Sequence, residues 1–211
     1  MKEPIDRRAL EEQMAQDGRL PPGQSLTIKF PVLHYGSVPQ FDPESWRFRI
    51  WGEVEEELSW TWEEFNQLPQ TEVTLDIHCV TKWSKFDTTW KGISLGKLVQ
   101  EGILKPKPEA AYILQHTLGG YTTNLPLSVA LQDNFLLATH YDGKPLTPDH
   151  GYPVRGMIGH FPDRPDLKTA YFWKGAKWLT GLEFLSKDQM GFWEKAGYHN
   201  EGDIWKEQRR R

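Results

Sequence analysis

The chain holds one cysteine, Cys79, and the residues around it decide what chemistry it can do. It lies near the end of the run Thr71 to Val80, where Val73, Leu75, Ile77 and Cys79 alternate with Thr74, Asp76 and His78. Period-two alternation predicts a strand with the thiol on its apolar face. Taken alone, that pattern describes a buried core thiol. The following loop, Thr81-Lys82-Trp83-Ser84, opens a second reading. A cation at Lys82 favours the thiolate, and a thiolate is a ligand for soft metals. A third reading is a nucleophile. His78 falls on the other strand face and is a poor base for its neighbour, so His116, His140, His150 or His160 would have to approach in space. A lone cysteine excludes an intramolecular disulfide and a multi-cysteine zinc or iron–sulfur site.

Two further groups carry chemistry. Arg155 ends the segment Asp149-His150-Gly151-Tyr152-Pro153-Val154-Arg155, and Lys174 and Lys177 lie within Tyr171 to Trp178. Cations usually mark a solvated face; within aromatic, strand-like stretches they can instead neutralise a buried anion. An arginine fork suits phosphate, and a lysine acts as a point charge. The second group is Gly119-Gly120-Tyr121-Thr122-Thr123-Asn124. It is either a glycine turn leading into a helix or a loop that projects a phenol and hydroxyls into a pocket. Ten tryptophans serve a core or a pocket for a large planar ligand equally well. No glycine-rich loop of the P-loop or dinucleotide-binding type is present.

The elements that must position these residues are short. A helix is expected over residues 5–17, ended by Asp17-Gly18. Trp46 to Trp51 alternates as a strand, and Thr61 with Glu64 forms a capping box for a short helix closed by Pro69. Leu95, Leu98 and Val99 predict a helix ended by Gly102. Residues 110–117, 134–140, 153–158 and 176–185 read as strands, and Asp142-Gly143 as a turn. Short strands with a few interspersed helices point to an α+β fold of mixed short β-sheets.

The 211 residues read as an N-terminal extension, 1–27, followed by one domain, 28–211. Net charge is −4, and the only basic run, Arg209-Arg210-Arg211, reads as a solvated or frayed end; nucleic acid is not an expected partner. No apolar run is long enough to insert into a membrane. The first residues are charged from Lys2 onward and lack the apolar core of a secretory signal, so a cytoplasmic location is expected.

Several segments, in order, resemble the sulfite oxidase superfamily, specifically its stand-alone molybdopterin-binding domain. Leu33-His34-Tyr35-Gly36-Ser37-Val38-Pro39 is similar to the family's early cofactor loop. Leu75 to Ser84 is similar to the strand that ends in the metal-ligating cysteine, and Trp90-Lys91-Gly92-Ile93 to the segment after it. Tyr121 with Leu125-Pro126, Asp142 to Leu146, His150 to Arg155, and Lys177-Trp178 continue the match. Gly191-Phe192-Trp193-Glu194 and Gly197-Tyr198-His199-Asn200 resemble the close of stand-alone members. The resemblance covers residues 28 to 208. It implies a sulfite-oxidase-type fold and a molybdenum–molybdopterin cofactor with Cys79 as the protein thiolate on the metal. It also implies two-electron oxygen-atom transfer with Tyr121 beside the metal. The cofactor contacts it implies are His34, Tyr35, Gly36, Lys82, Trp83, His150, Arg155, Lys174 and Lys177.

Two departures shape the expected function. Sulfite oxidases carry arginines soon after the cysteine and before the Trp90-equivalent tryptophan; here Lys82, Trp83, Ser84 and Thr89 stand there. A site without those forks binds a small oxyanion poorly, which favours a sulfoxide or another S- or N-oxide as the small-molecule substrate. The chain also leaves no room for a haem or dimerisation domain, so a separate electron-transfer partner is expected. Residues 159–168 look like an insertion near the pocket. A non-catalytic molybdopterin carrier and a Cys79-dependent hydrolase stand as alternatives.

Overall fold

The computed structural model describes residues 6–211; Ile5, the first residue of the expected N-terminal helix, lies outside the described residues. The helix, α1, runs Arg7–Gln16, and the Asp6 carboxylate caps it by accepting from the backbone N–H groups of Arg8 and Ala9.

Two mixed sheets carry the fold. Numbered in chain order, the first contains β1 (Ser25–Leu26), β4 (Thr71–His78), β5 (Trp83–Ile93), β8 (Phe135–Tyr141), β9 (Lys144–Pro145) and β10 (Arg155–Ile158). The second runs in the order β3 (Leu58–Thr61), β2 (Arg47–Gly52), β11 (Leu179–Leu185), β6 (Tyr112–Thr117) and β7 (Thr122–Pro126). Short helices connect them: α2 (Trp62–Gln67), α3 (Leu95–Gln100), α4 (Leu127–Ala130) and α5 (Phe192–Lys195). The architecture is α+β, as expected.

The sheets share one core. Phe48, Ile50, Ile113, Leu182 and Phe184 of the second sheet meet Phe135, Leu137 and Ile158 of the first. A smaller cluster of Leu75, Ile77, Trp90, Leu136, Met157 and Phe172 covers the other face of the first sheet. Strand β8 therefore contributes to both clusters, which is why its sequence is a continuous apolar run instead of an alternation. The Thr61–Glu64 capping box closes in both directions. Asp142 and Gly143 both take positive φ, 46° and 74°, as the two-residue β8–β9 hairpin demands.

Other elements differ from the sequence reading. Strand β11 begins at Leu179, not Ala176, because Phe172–Lys174 coils into a 3-10 turn and Trp178 takes φ 58°. Strand β5 was not legible, yet it is the spine of the first sheet, pairing with β1, β4 and β8. Its register shifts at Lys91/Gly92, which breaks any simple alternation. A Cβ at Gly92 would lie 2.2 Å from the Leu137 carbonyl oxygen, so only glycine fits there.

Residues before position 28 also contribute to the first sheet. Strand β1 pairs in parallel with β5, and Arg19 forks onto the Asp76 carboxylate at 2.8 and 2.6 Å while also meeting Asp87. Asp76 is fully buried at the bulge in β4, where its backbone pairs with His160 instead of β5. Arg19→Met would strand that carboxylate. We expect a stability loss of about 3 kcal/mol in urea unfolding. A loss below about 1 kcal/mol would place the pair with ordinary surface ion pairs.

Candidate active site

Cys79 sits one residue past the end of β4, in the turn to β5. Its N–H donates to the Trp83 carbonyl at 2.8 Å, and its carbonyl accepts from Lys82 N at 3.0 Å. The tight turn puts Lys82 in the left-handed region, φ 72°, and leaves its side chain exposed. Cys79 itself is buried. Burial pushes its thiol up from the ordinary value; the Thr81 hydroxyl, donating to Sγ at 3.2 Å, and the Arg155 charge oppose this in part. The cation expected at Lys82 is thus supplied by Arg155, from β10. Without a ligand Cys79 is a thiol, and a metal would have to displace its proton.

The thiol faces a cavity of about 320 Å³. Its walls are largely aromatic: Phe30, Trp83, Phe172, Trp173, Trp193 and Tyr198. Two cations line it. Arg155, 2% exposed, donates from Nε and both terminal nitrogens to the carbonyls of Gly156, His150 and Gly175, and lies 3.9 Å over the Phe172 ring. Lys177 donates to the carbonyls of Leu33 and Asp149. Neither forms an ion pair with a carboxylate among the described residues. Burial pushes Arg155 down to about 9, and burial with the Arg155 charge pushes Lys177 down to about 7. Uncompensated positive charge under aromatic walls fits a planar anionic ligand.

Of the residues singled out in the sequence, His34, Tyr35, Cys79, Trp83, Tyr121, His150, Arg155 and Lys177 all line this one cavity. His34 packs against Trp178, and Tyr35 against Tyr121, Phe192 and Trp193. The Tyr121 hydroxyl donates to the Tyr35 carbonyl at 2.7 Å. Gly36 does not line the cavity; with φ 77° it turns the loop where a Cβ would lie 3.0 Å from that hydroxyl. Tyr121 precedes β7, so the glycine turn leads into a strand, with α4 following.

Three expectations need correction. Lys174 is fully buried away from the cavity: its Nζ meets Glu194 at 2.8 Å, Asn124 at 2.5 Å and the Asn200 carbonyl at 2.7 Å. Its charge is spent inside the protein. Lys82 is exposed and does not line the cavity, and neither Ser84 nor Thr89 does: Ser84 is buried against His78, and Thr89 bonds Thr74. Residues 159–168 contribute nothing to the lining either; His160 pairs with Asp76 and Phe161 packs on the smaller core cluster. Sequence reasoning missed Thr81 and the walls Phe30 and Phe172. The two-residue spacing of Cys79 and Thr81 in a turn was the available signal for the first.

Neither His150 nor His78 is a free base for Cys79. Carbonyl partnership fixes His150 with Nε2–H toward Phe30 O at 3.3 Å and Nδ1 accepting from Thr147, so neither nitrogen is free. His78 is buried with Nδ1 bonded to Ser84, and burial pushes it down to about 3. Among the described residues no cluster of three His, Cys, Asp or Glu could hold a metal by itself. A metal at Cys79 must therefore bring its other ligands.

The model of the family described as "Oxidoreductase molybdopterin binding domain" matches residues 35–193. The chain belongs to this family. It is a molybdopterin-dependent oxidoreductase of sulfite-oxidase type, and its cofactor is molybdenum–molybdopterin. It is 42% identical over 198 residues to "Uncharacterized oxidoreductase YuiH" of Bacillus subtilis, covering 93% of this chain and 94% of that one. It is 25% identical to the protein-methionine-sulfoxide reductase catalytic subunit MsrP of Campylobacter jejuni (73% of this chain, 54% of that one). It is 24% identical to mitochondrial sulfite oxidase of Rattus norvegicus (84% and 37%). The chain thus spans about half or less of those two relatives. The sulfane dehydrogenase SoxCD from Paracoccus pantotrophus shares the fold, with TM-score 0.60 and 20% identity over 73% of this chain and 41% of that one. No described helix is long and apolar enough to cross a membrane.

Lys177 gives the cavity a pH signature. Its folded pKa lies below its unfolded value, so the unfolded chain binds more protons above about pH 7. The cofactor-free protein should gain stability to urea as pH rises from about 7 towards 8, and Lys177→Met should abolish the gain. A flat wild-type profile would mean that Lys177 keeps its proton in the folded protein as it does in the unfolded chain, so that its pKa is not depressed.

Proposed function

We propose that this oxidoreductase moves one oxygen atom and two electrons between an uncharged S- or N-oxide and the corresponding thioether or amine, with sulfite a poor substrate. The observation that carries this is the state of the cavity cations. Arg155, the only arginine lining the cavity among the described residues, spends all three guanidinium nitrogens on carbonyls, so no guanidinium fork is free for a small oxyanion. The aromatic walls favour an organic group. The relation to a protein-methionine-sulfoxide reductase catalytic subunit supports a sulfoxide.

Cys79 would hold molybdenum as the protein thiolate, since it is the only cysteine and it faces the cavity. Arg155 and Lys177 would neutralise the anionic pterin, and His34, Tyr35, Trp83 and His150 would pack on it. Tyr121 would turn its hydroxyl from the Tyr35 carbonyl to the substrate oxygen. Bound there, the cofactor supplies a metal centre that exchanges two electrons and an oxygen atom. In the reductive direction a sulfoxide takes two electrons and two protons and leaves as thioether and water. The electrons would come from a separate electron-transfer partner.

Protein made in a host that synthesises the cofactor should carry one molybdenum per chain, falling sharply in Cys79→Ser and in Lys177→Ala. With a reduced dye as donor it should consume an alkyl sulfoxide at least about tenfold faster than it oxidises sulfite, the scale of one missing hydrogen bond to a charged group. Comparable sulfite turnover defeats the neutral-substrate reading. Full molybdenum without dye-linked turnover of any oxide would make the protein a carrier.

A further inference from the structure

Arg209, Arg210 and Arg211 do not fray. Arg209 donates through Nη1 to the Val80 carbonyl at 3.0 Å and through Nη2 to the Pro22 carbonyl at 3.1 Å. Its guanidinium lies 4.8 Å from the centre of the buried Tyr171 ring, and its side chain is only 14% exposed. Val80 follows Cys79 and lines the cavity. Two residues on, the Arg211 N–H donates to the Gly197 carbonyl at 3.1 Å and its side chain to the Glu194 carbonyl at 2.7 Å. Arg210 bridges Tyr198 through the backbone. Trp193 and Tyr198, which flank those carbonyls, are cavity walls.

The Cys79 turn has other tethers, all from nearby in space. Gln24 Nε2 donates to the Cys79 carbonyl at 3.0 Å, and Ser25 N to the Lys82 carbonyl at 2.9 Å. A Cβ on Gly23, itself at φ 67°, would lie 2.4 Å from Glu207 and 3.3 Å from the Arg209 guanidinium, so the chain is packed closely at that point. Among these, Arg209 alone ties the turn to the segment that also holds the Trp193–Tyr198 wall.

We propose that residues 209–211 form a strap that fixes the Cys79 sulfur relative to the aromatic wall, with Arg209 as the positioning residue. It acts on Cys79 through the Val80 carbonyl and touches neither substrate nor cofactor. The inference rests on Cys79 being the metal ligand, and the test separates the two.

Two readouts on the full chain test it. In cofactor-free protein, iodoacetamide should alkylate Cys79 about tenfold faster in Arg209→Gln than in wild type, the scale of losing a charge-assisted hydrogen bond. Arg209→Lys keeps one charged donor for Val80 and should recover most of the protection. In the molybdenum-loaded protein, the thiolate-to-metal charge-transfer absorption should shift in Arg209→Gln and return in Arg209→Lys. Unchanged labelling and an unchanged band in Arg209→Gln overturn the strap. Equal, fast labelling in the Gln and Lys variants also overturns it, because packing on Tyr171, not the bond to Val80, would then be what matters. Full molybdenum in Cys79→Ser would instead overturn the ligand reading and leave the labelling result standing.

Discussion

Arg155 carries its charge into a buried position where, among the described residues, no carboxylate pairs with it. Moving a charge out of water is costly unless it is paired and hydrogen-bonded. Here three backbone carbonyls and the Phe172 ring compensate only in part, and burial still pulls the guanidinium down to about 9. Lys177 repeats the problem on the same cavity. Folding alone therefore leaves the site electrostatically incomplete, and an anion that binds only the folded chain completes it. Such a ligand stabilises the fold by mass action. For a cofactor held there, occupancy and stability would be two views of one equilibrium.

The same two walls fasten the loop that borders the cavity. Lys177 donates to the Leu33 carbonyl, and Tyr121 donates to the Tyr35 carbonyl. The side chains of Leu33, His34 and Tyr35 stay exposed on that loop. Both tethers come from residues with a proposed role toward cofactor or substrate. A ligand that claims either donor must compete with the loop, so the loop's position and the occupancy of the cavity are coupled through hydrogen bonds already present.

What could be read from the sequence was local. The alternation of Thr71 to His78, the Thr61–Glu64 box and the Asp142-Gly143 turn each arise from contacts within a few residues, and each formed. The placing of Cys79 at a strand end followed from the same alternation. The arginine tail did not, because Arg209 reaches Val80 across 129 residues and Pro22 across 187. Arg19 meets Asp76 across 57. Strand β5 was hidden because it changes partner and register along its length. The family resemblance brought together most of the cavity residues, and it did so without any of the long-range pairings that hold them.

Lys174 and Lys177 show where residue type stops being informative. Both are lysines in one aromatic stretch, both are largely withdrawn from water, and burial lowers both. Lys174 faces Glu194, Asn124 and Asn200, so its charge is neutralised within the fold. Removing it would leave Glu194 buried without its cation, a loss typical of broken buried pairs. Lys177 bonds two carbonyls and, among the described residues, forms no ion pair; the Asp149 charge reaches it only through space. Carbonyls orient an ammonium group without cancelling its charge, so it stays available to an anion in the cavity. The difference lies in the counter-charge, which comes from a helix twenty residues away in sequence. A cation withdrawn from water becomes a candidate binding group only where no carboxylate pairs with it, and among the described residues the buried Arg155 and the half-buried Lys177 meet that condition in this cavity.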